Sequence, residues 1–167
     1  TGGDTVYISV VDGKGNACSF IYSVYSNFGT GMVVPGTGIV MHNRGSLFSL
    51  DKDHPNALAP NKRPYHTIIP GMTTVNGELQ LCYGVMGAFM QPQGHLQVIS
   101  NMVDFGMDPQ QALNALRFMI SSDVVSLEEG VPPELVTELE RRGHRTTIIS
   151  SYYRGITGGV GGAQMIQ

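Results

Sequence analysis

The chain has 167 residues, 41% of them hydrophobic and 14% charged, with a formal net charge of −3. That balance suits a single domain over residues 1–167 that buries roughly 70% of its unfolded surface, and it excludes the charge-rich, apolar-poor composition of disorder. No basic cluster exceeds Lys62 with Arg63 or Arg141 with Arg142, which excludes a nucleic-acid footprint, and no apolar run approaches the ~20 residues of a membrane-spanning helix.

Thr5 to Val11 (TVYISVV) is rich in β-branched and aromatic residues and apolar on both alternating phases, which predicts a central strand covered on both faces. Asp12 to Asn16 is a turn cluster, and Ala17 to Val24 returns as a second strand, so a hairpin holds the start of the chain inside a sheet. Cys18 and Cys82 sit in apolar stretches and read as buried thiols rather than a disulfide framework or a metal site. Ser26 to Gly38 is broken by glycine and proline and leads to a short strand at Ile39 to His42. Further strands are expected at Thr67 to Ile69 and at Glu78 to Tyr83, the second after an Asn76-Gly77 hairpin turn, and Gly84 to Gly94 reads as an irregular segment.

Helical periodicity begins later. Leu96, Ile99, Met102 and Val103 form an apolar stripe that stops at Gly106. Asp108, Pro109 and Gln111 supply an N-cap, a first-turn proline and a capping-box partner, predicting a helix to about Phe118. A third helix runs from Pro133 to Arg142, closed by Gly143 and with Leu135 and Leu139 facing inward, before a strand at Arg145 to Ser150 and a glycine-rich tail. Strands, then helices, then strands indicate an α+β or layered domain.

Several motifs are set aside. Gly158, Gly159, Gly161 and Gly162 lack the Lys-Ser/Thr of a phosphate loop. The histidines (His42, His54, His66, His95 and His144) have no metal-ligand spacing, and Asp51 with Asp53 lacks the rest of a calcium loop, so neither metal nor cofactor is expected. A threonine at a strand start is ordinarily a β-former. Freed at a new N-terminus, the same residue carries a nucleophile and a base together, since its hydroxyl attacks an acyl carbon while its α-amine accepts the proton.

Three segments decide between those readings: DTVYISVVDGKGNACSFIYSVYSNFGTGMVVPGTGIVMHNRG, APNKRPYHTIIP and YGVMGAFMQPQGHLQVISNMVDFGMDPQQALNALRF. Together they resemble the small subunit of the gamma-glutamyltranspeptidase family, above all its gamma-glutamyltransferase-like or cephalosporin-acylase-like branch. The resemblance implies an N-terminal-nucleophile hydrolase: an αββα sandwich of two stacked antiparallel sheets between helical layers, completed by a large subunit cut from the same precursor. It places the nucleophile on Thr5, with autocleavage between Asp4 and Thr5. Thr1 is the alternative: either residues 1–4 are precursor residues that remain attached, or maturation occurs before Thr1. Ser23 takes the place of the threonine that hydrogen-bonds the nucleophile, and Gly87 with Ala88 takes that of the glycine pair whose N–H groups form the oxyanion hole.

Substrate positions depart from the pattern. Asn43 matches a family asparagine near the substrate, but Leu47 replaces the acidic residue that grips an α-amine and Arg44 stands where Gln or Glu is common. An arginine there favours a carboxylate-bearing acyl group. His66 and Thr67 replace paired serines that hold the substrate carboxylate, and Tyr25 replaces an asparagine. The family also continues beyond Gln167 into another strand. The expected function is acyl transfer or hydrolysis of gamma-glutamyl or related amides through a threonine acyl-enzyme. An acylase for glutaryl or beta-lactam-type amides and a non-catalytic assembly module are the alternatives. Partners are the large subunit, a small-molecule amide and a possible further copy of the heterodimer. Compartment is left open with a lean to the cytoplasm, because the precursor's own start falls outside this chain.

Overall fold

The computed structural model of the chain describes residues 3–150 and 160–167, and Thr1, Gly158 and Gly159 lie outside them. Strands β1 (Gly3–Val11) and β2 (Ala17–Ser26) form an antiparallel hairpin. The Asp12 carboxylate closes its turn by accepting from the Lys14 and Asn16 N–H groups and the Asn16 amide. Pleating alternates the side chains. Thr5, Tyr7, Ser9, Ser19 and Ser23 face one way, while Val6, Ile8, Val10, Phe20 and Tyr22 face the other and are about half exposed. Among the described residues β1 pairs only with β2, and within this chain one of the two faces expected to be covered is open. Cys18 lies on that open face and is exposed, so only Cys82 is a buried thiol.

Beneath the hairpin lies a sheet of order β3–β4–β8, built from β3 (Gly71–Val75), β4 (Glu78–Val85) and β8 (Ala163–Ile166). Asn76 and Gly77 join β3 to β4 with φ of 54° and 87°, the paired positive values that a two-residue hairpin turn demands. The strand expected at Thr67 to Ile69 starts instead at Gly71, because the Ile69 N–H is taken by the buried Gln91 side chain at 2.9 Å. Ile39 to His42 contributes only an isolated bridge, Val33 to Val40.

Alternation along β4 sets the layers. Cys82 and Gly84 face the hairpin: Cys82 Sγ lies 3.5 Å from the Tyr7 hydroxyl, and a Cβ on Gly84 would stand 2.3 Å from the Tyr7 ring. Tyr83 and Val85 face helix α1 (Met90–Val103), where Tyr83 meets His95 edge-on at 5.2 Å. A Cβ on Gly94 of α1 would stand 2.7 Å from Val85 Cγ1, so glycine is what lets helix and strand touch. The segment expected to be irregular up to Gly94 is thus helical from Met90. Its glycine serves close packing rather than a turn.

Helix α2 (Pro109–Asn114) has the expected capping box: Gln111 N donates to the Asp108 carboxylate at 2.8 Å and Asp108 N to the Gln111 amide oxygen at 3.0 Å. It stops short of Phe118, which opens strand β5 (Phe118–Ser121). The reason lies outside the local sequence. Gln97 bonds the Phe118 N–H and C=O, and Gln93 four residues away bonds those of Ile120, so two amides of α1 satisfy the edge of β5. Strand β6 (Val124–Glu128) pairs antiparallel with β5 and parallel with β7 (Arg145–Ile149), and α3 (Pro133–Arg141) packs on β7. No residue of α3 is buried and Leu135 is exposed, which corrects its expected inward stripe.

The Tyr7–Gly84 contact generates a prediction. Gly84→Ala forces a methyl into the ring and should cost about 1–3 kcal/mol. Gly13→Ala, with nothing within 4 Å of its built Cβ, should stay within about 0.5 kcal/mol of the parent. Urea denaturation distinguishes them.

Candidate active site

The β1–β2 register breaks at one place. Thr5 pairs with Ser23 but Asp4 pairs with Tyr25, leaving Val24 as the extra residue of a bulge opposite the Asp4–Thr5 peptide bond. Local chemistry accounts for it. Ser23 Oγ accepts the Tyr25 N–H at 3.0 Å, Val24 gives its carbonyl to Asn43 N at 3.1 Å, and Tyr25 takes φ of 77°. A bulky residue in the left-handed region costs on the order of 1–3 kcal/mol and persists only where its surroundings hold it. Here the holder is Arg44, whose Cζ lies 5.1 Å from the Tyr25 ring centroid.

Ser23 Oγ is the hub of this corner. The Thr5 hydroxyl donates to it at 3.2 Å and Arg44 Nη2 at 3.1 Å, in addition to the Tyr25 N–H. Three donors meet an oxygen with two lone pairs, so none is held at full strength. Arg44 is only 4% exposed, and its Nη1 donates to Thr67 Oγ1, itself 4% exposed. The guanidinium therefore turns inward instead of standing at the surface, with both terminal nitrogens engaged on hydroxyls. Burial lowers its pKa and Tyr25 opposes that change, yet an arginine remains charged. Among the described residues no carboxylate forms an ion pair with it.

Gly87 and Ala88 form the turn from β4 into α1. Both have positive φ, 125° and 52°, and a Cβ on Gly87 would stand 3.2 Å from Gly161 Cα. Among the described residues no hydrogen bond takes up either N–H, while their carbonyls accept from Met90 and Gln91. The turn is braced on both sides: Met86 N donates to Gly162 O at 2.7 Å, and Val85 N donates to His95 Nε2 at 3.0 Å. The stacking order brings it to the right end of the sheets. Cys82 touches Cys18 opposite Val10, Tyr83 touches Ser19 opposite Ser9, and Gly84 touches Tyr7. As β4 advances toward Gly87, its partner on β1 recedes toward Thr5.

The remaining positions divide. Tyr25 and Thr67 join the Arg44 corner. Asn43 is a loop clamp, its amide bonding Ser26 N and the carbonyls of Ser26 and Gly29 at 3.0–3.1 Å. His66 is exposed and outside the hydrogen-bond network. Gln91 and His95, which fix the segments on either side of the turn, were not singled out from sequence, although both stand in the QPQGH wording. Among the described residues no group of three or more His, Cys, Asp or Glu side chains could hold a metal, and no helix is long and apolar enough to cross a membrane.

Known proteins resemble this chain along most of its length. A family model described as Gamma-glutamyltranspeptidase matches residues 1–166. The chain is 39% identical over 157 residues to the glutathione hydrolase-like YwrD proenzyme of Bacillus subtilis, covering 90% of this chain and 30% of that protein. Among solved structures, cephalosporin acylase from Bacillus halodurans superposes with a TM-score of 0.86 at 48% identity, over 96% of this chain and 29% of the other. An acivicin-inhibited gamma-glutamyltranspeptidase chain superposes with a TM-score of 0.82 at 27% identity, over 96% of this chain and 88% of the other. The chain thus spans about 30% of the length of the curated relatives it matches, and its α+β fold is that of the N-terminal-nucleophile hydrolases.

His95 supplies a pH test. Its Nε2 accepts a backbone N–H and must be unprotonated, and burial lowers its pKa from 6.5. The unfolded chain then binds the proton first, so the contribution to stability is complete above about pH 6.5 and is lost as pH falls toward the folded pKa. Between pH 7 and 5 the parent should lose more stability than His95→Gln, as read from denaturation midpoints.

Proposed function

Because the chain belongs to the gamma-glutamyltranspeptidase family, we propose that it is the small catalytic subunit of an N-terminal-nucleophile amidohydrolase, freed from its precursor by cleavage between Asp4 and Thr5. The observation that carries this reading is the pair of hydroxyls, Thr5 on Ser23 at 3.2 Å, beside a register break that falls on the same peptide bond. The bulge interrupts the ladder opposite that bond, and a hydroxyl held beside its own preceding carbonyl gives an N-to-O acyl shift high effective molarity.

In turnover, Thr5 Oγ1 bonds the carbonyl carbon of an amide and its proton passes to the freed Thr5 α-amine. The Gly87 and Ala88 N–H groups stabilise the oxyanion, a role that suits donors left unused within the described residues. As the C–N bond breaks, the departing nitrogen takes the proton from the amine. Water, or an acceptor amine, then attacks the Thr5 ester by the same route in reverse. The large subunit of the same precursor is the proposed partner, and the open apolar face of the hairpin together with the 30% coverage of relatives supports it.

An acylase reading is favoured by one further observation. Leu47, half-buried with its carbonyl bonded to Asn56 at 2.7 Å, offers no charge for an α-ammonium, while the Arg44 cation lies behind Ser23. A cationic substrate group meets repulsion and no partner there, so acyl groups without an amine are preferred.

Thr5→Ala should leave an uncut, inactive precursor, checked by intact mass and amide turnover; splitting at this junction in the variant removes the assignment. With the mature enzyme, kcat/KM for a glutaryl-anilide should exceed that for the gamma-glutamyl-anilide by about tenfold, a modest part of a like-charge penalty. The reverse preference would eliminate the acylase reading and leave the nucleophile untouched.

A further inference from the structure

A nucleophile that uses its own α-amine as base works only while that amine is unprotonated, and a free α-amine has a reference pKa of about 7.7–8.0. Near neutral pH such a group is mostly ammonium unless its surroundings disfavour the charge. On sequence alone, Arg44 reads as a ligand for a substrate carboxylate. Its placement suits a different task. The guanidinium is buried, shares the Ser23 oxygen with the Thr5 hydroxyl, is clamped by Thr67 Oγ1 and the Tyr25 ring, and has no ion-paired carboxylate among the described residues. A fixed positive charge one hydroxyl away from Thr5, 4% exposed and with no carboxylate partner among the described residues, acts on whatever titrates there.

We propose that Arg44 is a positioning residue whose fixed charge holds the freed Thr5 amine in its neutral, proton-accepting form, while its Nη2 bond orients Ser23 toward the nucleophile. The inference rests on the reading of Thr5 as the freed N-terminus. It is reinforced by the donor crowding at Ser23 Oγ: two N–H donors that cannot be withdrawn compete with the Thr5 proton for two lone pairs, leaving that proton loosely held and ready to move to the amine.

The other titratable groups around the corner are few. On β1 there is Tyr7, two residues along, whose hydroxyl is pushed up to about 12 by burial and stays protonated. On β2 there is Tyr25. The loop before Arg44 brings His42, whose Nδ1 accepts the Arg44 N–H at 3.2 Å, and the segment carrying Thr67 brings the exposed His66. The β4–α1 turn brings Gly87 and Ala88, which do not titrate. Among the described residues, His42 and His66 are therefore the groups that the test must separate from the Thr5 amine.

The test uses the full-length precursor and its matured product. Arg44→Gln keeps an N–H donor for Ser23 and deletes the charge; Arg44→Lys keeps the charge; His42→Gln and His66→Gln remove the imidazoles. Intact mass is read first. A parent that yields no chain starting at Thr5 refutes the nucleophile, and this inference with it. The Arg44→Gln precursor should still split, because no amine is free before cleavage. Failure to split would place the residue's role in orienting the hydroxyl alone and overturn the charge argument.

On matured protein, the acidic limb of kcat/KM should move up by about one pH unit in Arg44→Gln, about tenfold lower activity on that limb, and stay in place in Arg44→Lys, His42→Gln and His66→Gln. An unmoved limb in Arg44→Gln, an equal shift in Arg44→Lys, or a limb that disappears with either imidazole would each overturn the role of Arg44 while leaving Thr5 as nucleophile.

Discussion

The whole arrangement depends on an aromatic ring lying flat against a glycine. Tyr7 occupies the space that a side chain on Gly84 would fill, and this contact presses the β1–β2 hairpin onto β4 closely enough for Ser19 to reach the Tyr83 carbonyl at 3.3 Å and Cys82 to reach the Cys18 carbonyl at 3.5 Å. A second glycine repeats the device on the other face of β4, where Gly94 admits Val85 to α1. Close approach on both faces of one strand fixes the hairpin, the sheet and the helix as a single stack. The start of β1 and the end of β4 then share one edge of it. Neither Thr5 nor the Gly87 turn could be placed from its own surroundings; the relation between them is a property of the stack.

Part of the chain's backbone strain lies at that edge. Tyr25 and Ala88 both adopt positive φ without being glycine, each at an expense that ordinary strand or helix ends avoid. The Tyr25 conformation follows from Ser23 capping its N–H, Asn43 taking the Val24 carbonyl, and Arg44 lying over its ring. Removing any one of these loosens the bulge, and with it the alignment of the Asp4–Thr5 bond. At the Ala88 turn two successive N–H groups are left without a hydrogen bond among the described residues just before helix α1 begins. In the proposed reaction these two departures from easy backbone geometry would serve its two halves, the nucleophile and the oxyanion.

Much of this was legible in the chain itself. The hairpin, the Asn76-Gly77 turn and the Asp108 capping box were readable because each is a local arrangement whose residues lie within a few positions of one another. Strand β5 was not, since the partners that satisfy it, Gln93 and Gln97, belong to a helix some 20 residues earlier and look like solvent-facing polar residues. The site shows the same division. Thr5, Ser23, Gly87 and Ala88 came from a resemblance spread over three segments, while periodicity made Thr5 an ordinary strand threonine. Arg44 reads as a substrate residue on sequence alone, and the structure adds that its fork turns onto Ser23 and Thr67, a direction that sequence does not report.

The polarity of the hairpin carries the last step. Its inward face holds hydroxyls, from Thr5, Tyr7, Ser9, Ser19 and Ser23, and its outward face holds Val6, Ile8, Val10, Phe20 and Tyr22, the reverse of a sheet that closes its own core. The proposed chemistry would account for the inversion. A nucleophile that must meet N–H groups on the neighbouring strand has to point between the sheets, and every second residue goes with it. The β-branched and aromatic residues that stabilise the strands are then forced onto the opposite side. Such a face is too apolar to leave in water, so placing Thr5 between the sheets creates the need for another layer, which the proposed large subunit would supply.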